Sequence, residues 1–157
     1  MQTISVWILF LATLASGLLA GISLDKSLVQ LPARHRMGIG TFAAFSRAAD
    51  MGRGLIWYPI LGIGAPALIL VAVLLQGIQG FSGAPTIPLV LAAVLGVAHV
   101  VTTSRAAPIL LRLQHENPDE PTLQALYQHF TAWHTVRCLL QVATFAVLLW
   151  AMIVTVR

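Results

Sequence analysis

No Asp, Glu, Lys or Arg occurs between Gly54 and Ser104, and His99 is the single histidine in those 51 residues. As one helix, rising about 1.5 Å per residue, the run would reach roughly 76 Å. The hydrocarbon core of a bilayer is about 30 Å thick, and one span takes about 20 residues. The run is therefore expected to fold back as two membrane helices. One of them carries an imidazole into the bilayer.

The whole chain agrees with that reading. Of its 157 residues 58% are hydrophobic and only 9% are charged, whereas soluble domains carry about 25% charged residues. The net charge of +4 does not point to nucleic acid, because the basic residues flank apolar runs, where topology and lipid head groups explain them. The single cysteine, Cys138, leaves no internal disulfide and no CxxC motif. Residues 1–24 hold no charged side chain, so the basic n-region of a cleaved signal is missing and the segment reads as a retained helix.

Four spans follow, at about residues 4–24, 54–75, 89–103 and 138–156. The expected architecture is an all-α, four-helix transmembrane bundle forming a single domain over 1–157. In the first span Ser16, Gly17, Ala20 and Gly21 lie at a spacing that lets a neighbouring helix approach closely, or simply reflect the abundance of Gly and Ala in membrane helices. A basic connection, Asp25 to Arg53, is interrupted by Pro32. Within it Ile39, Phe42, Ala43, Phe45 and Ala48 suggest a short amphipathic cytoplasmic segment lying near the membrane surface. The second span holds Pro59 and Pro66, which kink a helix and free carbonyls that protein or water must satisfy. The turn Gln76–Pro88 is uncharged. A polar connection, Ser104–Glu120, carries Arg105, Arg112, His115, Glu116 and Asp119. Asp119, Glu120 and Pro121 then mark the start of a helix that runs into the last span and reaches about 55 Å.

Lys and Arg predict the orientation. Five of the nine lie in the first connection, and Arg105, Arg112 and Arg137 lie between the third and last spans. Those connections are expected to face the cytoplasm, with both termini on the other side of the cell (inner) membrane.

Ionisable groups within a membrane are expensive and tend to face the bundle interior. His99 falls about 9 Å inside Arg105 along its helix. On the last helix His134, Arg137 and Gln141 share one face, with Trp133 beside it. These groups have a common depth with Asp25, Lys26, Asp50 and Arg53, so a polar pocket can form on the cytoplasmic side. Such a pocket would use His99 and His134 as proton-moving groups and Arg137 to hold an anionic oxygen, with Trp133, Gln141 and Tyr58 binding substrate. The opposing reading makes Trp133, His134 and Arg137 interface anchors and His99 a structural hydrogen bond between helices. His35, His115 and His129 read as solvated. No HExxH or carboxylate–histidine pattern suggests a metal site, and the sequence names no cofactor.

Three stretches, "GLLAGISLDKSLVQLPA", "FSRAADMGRGLIWYP" and "FTAWHTVRCLLQVATFAVLLWA", together resemble the anthrone-oxygenase-like family of small four-helix membrane proteins. The last looks like that family's W-x-x-x-[polar]-x-x-R element, which His134 and Arg137 fit. Phe130 stands four before His134, and the tryptophan has moved to Trp133. The resemblance implies a four-helix fold and, for some members, oxygenation of a polycyclic anthrone to a quinone without an obvious cofactor. By that analogy His134 or His99 takes a proton and Arg137 stabilises the enolate beside dioxygen.

The expectation is thus an oxygenase-like membrane protein acting on a hydrophobic aromatic or quinone-like small molecule. The alternative is a non-catalytic accessory subunit packed against a larger membrane protein complex. The partners expected are the lipid bilayer, that small molecule, and a membrane protein or a second copy of the chain.

Overall fold

The computed structural model describes residues 2–50, 52–115 and 118–156. The side chain of His115, and Glu116, lie outside what it describes. Among the described residues the protein is all-helical, and four helices are long and apolar enough to cross a membrane.

The first of these is longer than its apolar run. Helix α1 (Gln2–Asp25) continues through a π-helical segment, Lys26–Gln30, into α2 (Leu31–Met37). Pro32, expected to interrupt the chain here, does not. The Leu31 N–H reaches five residues back to the Lys26 carbonyl, and this widened turn brings the chain to a proline that has no N–H for the ladder. Gly38, at φ +80°, ends α2 in a conformation open to glycine.

Helix α3 (Ile39–Asp50) is the amphipathic segment. Its buried residues Phe42, Ala43, Ser46 and Asp50 fall on one face by their spacing. That face packs on the bundle itself, with the Phe42 ring edge-on to Tyr127 at 5.2 Å.

Helices α4 (Gly54–Ile78), α5 (Thr86–His115) and α6 (Glu120–Val156) complete the bundle. Helix α5 runs on past Thr103, where the third span is expected to end, to His115. Ala106, in that extension, is fully buried with Phe42, Tyr127 and Phe130, so tertiary packing holds the helix beyond the apolar stretch. Helix α6 begins at Glu120 and is continuous, as its start signal predicted.

The core comes in two parts. Leu9, Ala12, Ile69, Ala72, Leu89, Ala92, Leu148 and Ala151 fill the end that carries the chain termini, where alanines allow close helix approach in lipid. Leu31, Phe42, Ala43, Ala106, Leu123, Tyr127 and Phe130 fill the other, basic end. In the small-residue stretch of α1, Ser16 and Ala20 are buried, and a Cβ on Gly17 would lie 2.9 Å from the Phe145 ring. Gly21 faces open space.

Candidate functional site

Between the two cores lies a layer of polar side chains, buried or, for Tyr58 of α4, half-buried, drawn from all the spanning helices and from α3. The π segment opens at Lys26, and the amphipathic stripe of α3 closes at Asp50. These two form an ion pair whose side chains are 7% and 1% exposed. Ser46 Oγ donates to Asp50 Oδ2 at 2.5 Å, and Tyr58 Oη donates to Oδ1 at 3.2 Å. Lys26 Nζ also stands 5.8 Å from the centre of the Phe130 ring, a favourable place for a cation. Gly54 fixes the approach of Tyr58, since a Cβ there would be 2.8 Å from the tyrosine ring.

On α6, His134 is buried and stacked on Phe130, with ring centres 5.4 Å apart. Arg137 Nη2 donates to His134 Nδ1 at 2.5 Å, and a guanidinium has no acceptor to offer. The opposite ring nitrogen, Nε2, therefore carries the proton and donates to the Ser23 carbonyl at 3.3 Å. Both nitrogens of His134 are engaged.

His99 is tied in a similar way. Gln141 Nε2 donates to His99 Nδ1 at 3.0 Å, which leaves the ring proton on Nε2. Pro66 has no N–H to give to Gly62, four residues back, and the Gly62 carbonyl interacts with the His99 ring. An acceptor facing the ring agrees with a proton on Nε2. That contact falls short of a regular hydrogen bond, and His99 Nε2, Gln141 Oε1 and Arg137 Nε are buried with no hydrogen-bond partner among the described residues.

These groups line a cavity of about 340 Å³, within the range of roughly 300–1,000 Å³ typical of small-molecule sites. Lys26, Asp50, Tyr58, His99, His134, Arg137 and Gln141 form its polar wall, and α4 and α5 supply an apolar one. Asp50 is the one carboxylate lining it among the described residues, facing two cations. Asp50 pairs with Lys26, so Arg137 leaves the site with one positive charge in excess. Such a site can hold an oxygen that is anionic or becomes so. Among the described residues no group of three His, Cys, Asp or Glu side chains is placed to hold a metal ion.

Of the residues singled out from sequence, His99, His134, Arg137, Gln141 and Tyr58 meet at this cavity. Trp133 does not. Its indole N–H donates to His129 Nε2 at 2.9 Å, and the side chain packs half-buried against the core at the basic end. Successive residues on a helix are about 100° apart, so the neighbour of an inward-facing His134 is turned away. Asp25 is exposed and bonded to Gln30, and Arg53 is exposed, so neither joins the cluster. The groups that sequence reasoning did not commit to are Lys26, Asp50 and Ser46. The available signal was Asp50 standing at the end of the Phe42, Ala43 and Ser46 stripe. No family model, characterised protein or solved structure matches the chain.

Proposed function

We propose that the protein is an oxygenase-like enzyme of the cell (inner) membrane that acts on a lipophilic aromatic or quinone-like molecule. Its cavity would open from the cytoplasmic half of the bilayer, with both termini on the far side. The orientation rests on Lys and Arg, eight of nine of which lie in the cavity layer or on the side of it away from the chain termini. The observation that carries the functional reading is a cavity of small-molecule size within a spanning bundle, holding a guanidinium that forms no salt bridge among the described residues. A subunit that only packs against a partner needs no such space.

In this reading the substrate carries an acidic C–H or O–H conjugated to an oxygen. Asp50 takes the proton, directly or through the Tyr58 hydroxyl bonded to it. Arg137 stabilises the oxygen anion that results, and the His99 Nε2–H adds a second donor. Neither histidine serves as the base in this reading, because Nδ1 of each already accepts a hydrogen bond, and of the two only His99 keeps an N–H to offer, that of His134 being held by the Ser23 carbonyl. Dioxygen is the oxidant. A ring CH₂ loses two hydrogens and gains one oxygen atom, and the other oxygen leaves with both hydrogens as water.

The test is turnover of a polycyclic anthrone by the protein reconstituted in lipid, followed by quinone absorbance and oxygen uptake. The expected result is one dioxygen consumed per quinone, with the rate lost in Arg137→Met and reduced in Tyr58→Phe. A rate equal to that of protein-free vesicles overturns the proposal.

A further inference from the structure

The apolar wall of the cavity is also part of the protein's outer surface. Leu55 and Ile63 on α4, and Val100 and Leu111 on α5, all line the cavity. Yet they are 41%, 67%, 43% and 43% exposed. A side chain that borders a cavity while keeping that much exposure stands at its rim. Towards the termini α4 and α5 pack closely, with a Cβ on Gly96 only 3.7 Å from Ile69 and 3.8 Å from Pro66. Below that contact Gly62 faces open space, where a Cβ would meet nothing within 4 Å. One turn below the Pro66–Gly96 contact the Gly62 carbonyl still meets the His99 ring of α5, and beside it the space between the exposed rim residues of the two helices opens as a gap to the lipid-facing surface.

We infer that this gap is a lateral portal, and that the ligand is an amphiphile: an acidic phenol-type head in the cavity and a hydrocarbon tail passing between α4 and α5 into the bilayer. The inference rests on the functional reading above and adds the class of ligand and its route. Charge complementarity selects the head, since the polar wall carries one cation in excess over its carboxylate. Continuity of the apolar wall with the lipid-facing surface selects the tail. A tail leaving through this gap stays among apolar groups on both sides. Lengthening it moves methylenes from lipid to lipid and changes binding little.

The test compares two naphthols with the same head, one carrying a methyl group and one a farnesyl chain, bound to the protein in lipid nanodiscs. Dissociation constants are expressed as mole fraction in the lipid. The portal predicts that the two agree within about threefold. Gly62→Phe, which places a ring in the gap, should weaken the farnesyl ligand by about tenfold or more, while Gly64→Phe, also facing open space but off the cavity, should not. Binding of the methyl ligand with exclusion of the farnesyl one overturns the portal and leaves the functional reading standing. Equal weakening by both phenylalanine variants also overturns it. If neither naphthol binds, the functional reading fails and the portal with it.

Discussion

Arg137 and His134, one turn apart on α6, are joined by a hydrogen bond in which the guanidinium donates to Nδ1 at 2.5 Å. The bond fixes the imidazole as its Nε2–H tautomer and aims it at the Ser23 carbonyl of α1. It also anchors one end of the guanidinium, while Arg137 Nε has no hydrogen-bond partner among the described residues. The imidazole thus links the guanidinium beside it to the backbone of α1.

That tautomer is directly measurable. In ¹⁵N solid-state NMR of the protein in lipid, His134 should show a protonated Nε2 and an unprotonated Nδ1. Arg137→Met should remove the bias. An Nδ1–H signal in the wild type would break the assignment.

The buried pair Lys26–Asp50 should show the asymmetry of ion pairs in a low-dielectric site. Removing one partner strands the other, so Asp50→Leu is expected to cost about 3–5 kcal/mol. The double variant Lys26→Met with Asp50→Leu should recover most of that loss. Thermal unfolding of the singles and the double in one detergent checks it. Additive losses would mean that the two charges are not coupled.

Gly17 and Gly21, equivalent in sequence, should behave differently. Gly17→Val forces the Phe145 ring aside and should cost about 1–3 kcal/mol, as overpacking does. Gly21→Ala, facing open space, should be neutral or stabilise by roughly 0.5–1 kcal/mol. The same unfolding assay separates them.

Among the described residues, Gln141 Nε2 is the donor to His99 Nδ1, at 3.0 Å. Gln141→Leu leaves that buried acceptor unpaired and should cost about 1–3 kcal/mol. Gln141→Glu, which can accept from a ring N–H, should instead move the His99 proton to Nδ1, visible in the same ¹⁵N spectrum.

Much of the fold was legible because lipid imposes simple rules. The uncharged run from Gly54 to Ser104 had to cross twice, and Glu120 announced a helix that the structure keeps unbroken to Val156. The end of α5 was less legible. Arg105 and Arg112 lower the hydropathy, but Ala106 packs between α3 and α6, and that tertiary contact leaves no periodic trace. The site was legible in depth but not in rotation. His99, His134, Arg137 and Gln141 were placed together because distance along a helix gives depth. Trp133 was misplaced because one residue turns the side chain to another face. Lys26 and Asp50 lie 24 residues apart, and only the π segment and the packing of α3 bring them into contact.

The central claim is that the spare positive charge of Arg137 binds an acidic oxygen of a lipid-soluble molecule. Its most direct test is the absorption spectrum of a hydrophobic naphthol titrated into nanodiscs at neutral pH, with wild-type protein and with Arg137→Met. The account predicts saturable one-to-one binding with the spectrum of the naphtholate, and a loss of about tenfold or more in affinity, with a neutral spectrum, in the variant. Absence of saturable binding, or binding and spectrum unchanged by Arg137→Met, would contradict it.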